Sequence, residues 1–129
     1  MRNTILIIDD LASVRLYHKS FLTRKGYSCV EASDGEEGLD RLRQRTVDLI
    51  LLDLVMPGMD GESFVDQLDR DAASGGIPVL VITSEESLAR ELIARAKRPI
   101  GVVTKPVMPA ALLRAVEQLL PREAAVAAE

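Results

Sequence analysis

Asp9, Asp10, Asp53, Thr83 and Lys105 are the residues of this chain whose types and positions could do chemistry together. Each closes a short apolar run. Asp9 and Asp10 follow Ile5-Leu6-Ile7-Ile8, Asp53 follows Leu49-Ile50-Leu51-Leu52, Thr83 follows Val79-Leu80-Val81-Ile82, and Lys105 with Pro106 follows Ile100 to Thr104. If these runs are parallel strands of an open α/β sheet, their carboxyl ends share one edge, where such sheets bind ligands. Carboxylates, a hydroxyl and an ammonium then meet in one place. Clustered carboxylates repel one another and stay ionised only beside a compensating cation. Hard oxygen donors favour Mg²⁺, Mn²⁺ or Ca²⁺ over zinc. Asp53, ending the most apolar run, can attack phosphorus and form an aspartyl phosphate. The metal and Lys105 would neutralise charge on the equatorial oxygens, and the Thr83 hydroxyl would hydrogen-bond one of them. The set reads as a site for a divalent cation and a phosphoryl group.

The intervening segments have the patterns needed to position these residues. Residues 4–8 read as a first strand. Val14, His18, Phe21 and Leu22 recur at helical spacing as far as Gly26, a natural stop. Residues 28–32 form a short second strand, and Ser33-Asp34-Gly35 opens a second helix with Leu39 and Leu42 inward. Gly38 should weaken that helix by about 1 kcal/mol relative to alanine. Val47 to Leu52 is read as one run, expected to form a central strand covered on both faces. Met56-Pro57-Gly58-Met59 reads as a turn, with Asp60 capping a third helix that carries Phe64 and Leu68. Ser74-Gly75-Gly76 breaks the chain before a fourth strand, where Pro78 is tolerable only at the start. Residues 85–97 form a fourth helix and residues 100–104 a fifth strand. Pro109 begins a last helix with Leu112, Val116, Leu119 and Leu120 on one side. Five βα units in succession imply a parallel sheet with helices on both faces. The domain is expected to span residues 1–121, with residues 122–129 a flexible tail.

Composition narrows the function classes. At 129 residues the chain is one domain with room for a real core. Sixteen Lys and Arg against twenty Asp and Glu give a net charge of −4, without the basic surplus expected of a nucleic-acid binder. A single cysteine, Cys29, excludes an internal disulfide, fits a reducing compartment and reads as a small core hydrophobe. No apolar stretch reaches bilayer-spanning length and no secretory pattern opens the chain, so a cytoplasmic location is expected.

Taken in order, several pieces of the chain resemble the receiver domain of two-component response regulators, over residues 3–120. They are Ile7-Ile8-Asp9-Asp10, Ser13-Val14-Arg15, Gly26-Tyr27, Glu31-Ala32-Ser33-Asp34-Gly35-Glu36, Asp48 to Asp53, Met56-Pro57-Gly58-Met59-Asp60-Gly61, Thr83-Ser84 and Thr104-Lys105-Pro106-Val107. The resemblance implies a flavodoxin-like (βα)5 doubly wound parallel sheet of order 2-1-3-4-5, the order known for chemotaxis receivers. It implies that Asp53 accepts a phosphoryl group from a histidine kinase or histidine phosphotransfer protein. Asp10, Asp53 and the Val55 main-chain carbonyl would hold Mg²⁺, or Mn²⁺ in its place, with Asp9 acting mainly through water. Lys105 would pair with phosphoryl oxygens, and Thr83 would swing inward after phosphorylation. The Lys105–Pro106 bond is expected to be cis, aiming the lysine into the site. Such a domain is expected not to be a classical enzyme but to take phosphate from donors and lose it by its own hydrolysis, here more slowly than in fast chemotaxis receivers. Its expected partners are the phosphodonor protein and a downstream protein target, with no nucleic acid and no membrane. It would be a monomer or weak dimer.

Some positions depart from the family pattern. Most receivers carry Tyr or Phe three residues before the lysine, where this chain has Val102. Valine cannot make the ring rotation that accompanies the threonine, so either the signal leaves by loop or fourth-helix displacement or this face is not the output surface. Arg98-Pro99 replaces a usual Gly-Ala pair. Pro99 stiffens the strand entry, and Arg98 is expected to add a surface charge at the edge of the face formed by the fourth helix, fifth strand and fifth helix, so that this face recognises a different partner or holds a more fixed conformation than in common regulators. Val55 offers no side-chain hydrogen bond to orient a hydrolytic water, and Glu85 is its counterpart after Thr83. His18 falls on the buried helical stripe as a hydrogen-bonded core histidine. Leu11, Leu16 and Tyr17 lie off it, exposed or in contact with a docked phosphodonor helix.

The leading expectation is a stand-alone receiver that signals by partner docking or phosphorelay. The alternatives are a receiver excised from a larger regulator, or a pseudo-receiver that never takes phosphate. Pseudo-receivers usually lose an acidic residue or the lysine, and none is missing here. An aspartate-nucleophile phosphatase of the haloacid dehalogenase type would carry a second Asp where this chain has Val55. A flavodoxin-like cofactor binder would need a phosphate cradle that Asp9-Asp10-Leu11-Ala12-Ser13 lacks.

Overall fold

The computed structural model describes residues 2–56, 61–71 and 75–120. The expected turn at Pro57-Gly58-Met59, the Asp60 cap, Ser74 and the expected tail at residues 122–129 lie outside the described residues. Five strands, β1 (Thr4–Ile8), β2 (Ser28–Ala32), β3 (Leu49–Asp53), β4 (Val79–Thr83) and β5 (Ile100–Thr104), alternate with five helices. These are α1 (Ala12–Arg24), α2 (Gly35–Gln44), α3 (Gly61–Arg70), α4 (Glu86–Arg95) and α5 (Pro109–Leu119). Every strand pair is parallel, in the order β2-β1-β3-β4-β5. This is the flavodoxin-like arrangement expected from the sequence.

Successive strand residues point to opposite faces, and the core divides accordingly. Leu6, Ile8, Ile50 and Leu52 pack with Phe64, Val65 and Leu68 of α3 and with Ala89 and Leu92 of α4. Ile5, Ile7, Leu49 and Leu51 pack on the other face with Leu22 of α1 and with Leu112 and Val116 of α5. All of β3 and β4 is buried, which is why these strands read as unbroken apolar runs. Leu39 and Leu42 of α2 lean on the first cluster as expected. Asp48 is used before β3 begins: its carboxylate accepts from the Thr4 N–H at 2.7 Å, tying the strand entry to β1.

Gly38 has a positive reason to stand in α2. A Cβ there would lie 2.6 Å from Cδ1 of Ile8, so the glycine lets the helix sit directly on β1. The helix is further secured by Asp34, whose carboxylate accepts from the Glu37 N–H at 2.8 Å as an N-terminal cap.

Arg98 corrects the sequence expectation of a surface charge beside β5. Its side chain is only 3% exposed and that of Asp69, near the end of α3, 10%. The guanidinium Nε donates to Asp69 at 2.8 Å and Nη1 to the Ile77 carbonyl at 3.0 Å, while the Lys97 N–H donates to the other Asp69 oxygen at 3.2 Å. Arg95 continues the contact toward the start of α3, 3.1 Å from Glu62 and 3.6 Å from Asp66. The chain leaves α4 at Ala96 in extended conformation rather than at residue 97, because the following residues turn in to meet Asp69. Removing one partner of a buried pair costs more than the pair itself contributes. Asp69→Ala should therefore destabilise the fold by roughly 3 kcal/mol in urea denaturation, and Asp69→Ala with Arg98→Met should recover part of the loss.

Candidate functional site

The register places the functional side chains. Ile8 pairs with Leu52, so Asp9 and Asp53 are the next residues on adjacent strands. Asp53 pairs with Ile82, one residue before Thr83, and Thr83 pairs with Thr104, one residue before Lys105. The carboxylates of Asp9, Asp10 and Asp53 each offer an oxygen within 4.8 Å of the others. Lys105 reaches the same place: its Nζ lies 3.5 Å from Oδ1 of Asp53. The sequence-predicted carboxylates and lysine are thus brought together, with Asp9 and Asp53 buried and Asp10 exposed.

Backbone groups hold each member. The Leu11 N–H donates to Oδ1 of Asp9 at 3.0 Å, and the Val55 N–H donates to Oδ1 of Asp53 at 3.2 Å, which keeps the Val55 main chain beside the cluster. The Asp53 Oδ2 atom makes no hydrogen bond among the described residues. The Lys105 N–H donates to the Thr83 carbonyl at 3.0 Å, and the Lys105–Pro106 bond is cis, as expected. The Thr83 side chain is buried and its hydroxyl accepts from the Glu85 N–H at 2.9 Å. Beyond β3, the Gly61 N–H donates to the Leu54 carbonyl at 2.8 Å. A Cβ on Gly61 would stand 2.8 Å from both Cα and O of Leu54, so this return of the chain past the site requires glycine.

Electrostatics suit a cation. Burial pushes the Asp9 carboxyl above its ordinary range; the Leu11 N–H opposes this, and Asp53 and Asp10 raise it further. Three carboxylates face one ammonium, and the donors are hard oxygens, so the residues fit a small divalent ion of the Mg²⁺ kind.

The sequence profile of the response regulator receiver domain matches residues 5–117. The chain belongs to the response regulator receiver family. Among its relatives is protein PilH of Pseudomonas aeruginosa, 30% identical over 116 residues, which span 90% of this chain and 96% of PilH. The phosphate regulon regulatory protein PhoB of Escherichia coli is 32% identical over all of this chain, which spans only 56% of PhoB. The chain thus spans about half the length of several curated relatives. In structure it is similar to the chemotaxis protein CheY4 of Vibrio cholerae, with a TM-score of 0.84 and 28% identity over 93% of this chain and all of that one. Receivers bind Mg²⁺ at an acidic pocket and interact with histidine kinases and downstream targets. No helix among the described residues of this receiver is long and apolar enough to cross a membrane.

Around the site, Leu11, Leu16, Tyr17, Val55 and Met108 are exposed apolar residues. The Tyr17 hydroxyl donates to the Val107 carbonyl at 3.2 Å, joining α1 to the segment after Lys105. Val102 sits on β5 as a half-buried valine, beside an open groove of about 420 Å³ between β5 and α5. Cys29 is half-buried, and burial pushes its thiol up to about 11, as an unreactive core residue should be. Arg15 was given no role by sequence reasoning, although it contacts the backbone of Asp9. A basic residue one turn into the helix after an acidic strand end was the available signal.

His18 is buried as expected, but it is not the hydrogen-bonded core histidine foreseen, because its Nδ1 has no hydrogen-bond partner among the described residues. Burial lowers its pKa below the ordinary 6.5, with Asp53 opposing and Lys105 assisting. The unfolded chain therefore holds the imidazole proton more tightly, and stability must fall as pH drops through 6.5 toward the folded-state value. His18→Leu should be at least as stable as the wild type near neutral pH and lose less stability on acidification. Urea denaturation at about pH 7.5 and about pH 5.5 measures this. Equal acid losses in both proteins would count against it.

Proposed function

We propose that this receiver accepts a phosphoryl group on Asp53 from a phosphohistidine of a kinase or phosphotransfer protein, in a Mg²⁺-dependent step, and signals in that state. The observation that carries the reading is the meeting of three carboxylates with Lys105 on Asp53, complete where a pseudo-receiver would lack a member. Asp9, Asp10 and Asp53, with the Val55 main chain, would hold the ion. A bound Mg²⁺ supplies neutralisation of phosphoryl oxygens. One Asp53 oxygen is anchored by the Val55 N–H and Lys105, which leaves Oδ2 to attack phosphorus. As that bond forms, the P–N bond to the donor imidazole breaks and the departing ring nitrogen takes up a proton. Lys105 is then placed to pair with the new phosphoryl oxygens. The Thr83 hydroxyl accepts from the Glu85 N–H through a lone pair, so its own proton would donate to one of them once the side chain turns inward.

The exposed apolar rim of Leu11, Leu16, Tyr17 and Met108 supports docking of a helix carrying the donor histidine. Output is proposed to be docking to a protein target or onward phosphorelay, consistent with a likeness that spans nearly all of PilH. Within a longer regulator such as PhoB, the same state would act on a neighbouring domain.

Incubation with Mg²⁺ and acetyl phosphate should add the mass of one phosphoryl group, absent in Asp53→Ala and absent when the metal is chelated. An unmodified wild type would point instead to a pseudo-receiver that acts by binding alone. Once formed, the adduct should decay over minutes or longer, because exposed Val55 offers no group to orient attacking water. Decay within seconds in the presence of Mg²⁺ would contradict this.

A further inference from the structure

Asp10 is the least restrained member of the cluster. It is exposed, and its carboxylate makes no hydrogen bond among the described residues. Its direction is therefore set by the peptide unit that it shares with Asp9. That peptide is held from outside the site. The Arg15 guanidinium on α1 donates through Nη1 to the Asp9 carbonyl at 2.6 Å and through Nε to Oε1 of Glu31 on β2 at 3.0 Å. Glu31 is itself fixed at two further points: Lys19 lies 3.3 Å from its other oxygen, and Nε of Arg41 donates to its carbonyl at 3.1 Å. The Asp9 N–H donates to the Ala32 carbonyl at 3.1 Å, so β2 and α1 together hold both ends of the Asp9 backbone.

We propose that Arg15 and Glu31 act as a positioning clamp: they fix the Asp9–Asp10 peptide and so aim the Asp10 carboxylate for divalent-ion binding. The proposal rests on the metal-site reading above. The chemistry requires a guanidinium, whose planar fork can serve a carbonyl and a carboxylate at once, where an ammonium is a single point donor on a flexible stem. The setting favours strength, since the Arg15 side chain is only 16% exposed. Burial raises the Glu31 carboxyl, but the hydrogen bonds from Arg15 and Lys19 more than offset this and bring it below its ordinary value, keeping the clamp charged near neutral pH. Partners that orient metal ligands from behind commonly contribute tenfold or more to affinity.

The test is a calorimetric Mg²⁺ titration of the full chain without phosphodonor. Arg15→Met should bind Mg²⁺ about 10-fold more weakly than the wild type. Arg15→Lys should fall between the two, and Glu31→Gln should lose less than Arg15→Met. Arg43→Met, which removes only an exposed pair with Asp40, should bind as the wild type does. A second arm uses metal-free protein: amide hydrogen exchange at Asp9 and Leu11, whose N–H groups donate to the Ala32 carbonyl and the Asp9 carboxylate, should accelerate in Arg15→Met while exchange in β4 stays slow. Should Arg15→Met fail to fold, Arg15→Lys and Glu31→Gln carry both arms. Wild-type affinity and exchange in these variants would overturn the clamp. Absence of Mg²⁺ binding by the wild type would overturn the metal reading and the role built on it, and the exchange arm would separate that failure from a failure of the clamp geometry.

Discussion

Mutual repulsion among Asp9, Asp10 and Asp53 is the constraint that the rest of the structure has to meet. Their oxygens gather within 4.8 Å, and Lys105 is the cation in ion-pair range of Asp53 among the described residues. Like charges would separate if the chain were free to let them. The chain is not free, because each aspartate stands at the end of a strand whose apolar residues are buried. Ile5 to Ile8 and Leu49 to Leu52 are all at most 1% exposed. Each such side chain contributes about 2 kcal/mol by leaving water, so the sheet can impose a placement that the carboxylates alone would reject. Parallel pairing then sets which carboxylate meets which. Slipping β3 by one residue against β1 would part Asp53 from Asp9 and turn Leu49 to Leu52 to the wrong faces.

The same reasoning bears on how a change at the site could spread. Thr83, β5 and α4 lie on one side of the sheet order, away from β2. In this chain the exit from α4 is tied to α3 through Arg98 and Asp69, and α4 itself through Arg95 with Glu62 and Asp66. Any displacement that carries this end of α4 away from α3 must break a buried ion pair, whereas the start of α4, at Glu86, is held to α3 by no such pair among the described residues. Movement that begins at Thr83 and the Glu85 N–H thus meets its lowest resistance at the near end of the helix. Val102 bears on the same face: it packs against the cluster that holds Ala89 and Leu92 of α4, and it brings no ring there to rotate.

Much of this was legible in the sequence. The strands β1, β3, β4 and β5 end where apolar runs meet polar residues, since a buried parallel strand tolerates few polar side chains and announces its end by them. The candidate cluster was legible for the same reason, being made of the residues that close those runs. Arg98 was misread. A charged residue next to proline before an edge strand ordinarily faces water, and only the fold brings Asp69, 29 residues earlier, within 2.8 Å of it. His18 was placed correctly in the core by helical spacing, but spacing says nothing about whether a neighbouring acceptor exists for Nδ1. Gly38 looked like a weakness because helix propensity is local, while the approach of the Ile8 side chain that favours it is not.

These cases share a cause, and Arg15 shows it most clearly. Strand ends are written in consecutive residues, so the groups that would touch a phosphoryl ligand can be found by reading along the chain. The groups that hold them still are paired across it: Arg15 with Glu31 over 16 residues, Tyr17 with the Val107 carbonyl over 90. Each such partner is chosen by topology, and topology is a property of the whole sheet. A chain of the same motif with a different residue at position 31 would present the same aspartates in sequence and hold Asp10 less firmly in space. For this fold, the composition of the site and its precision are therefore separate quantities, set by different residues, and only the first is local enough to be read without the structure.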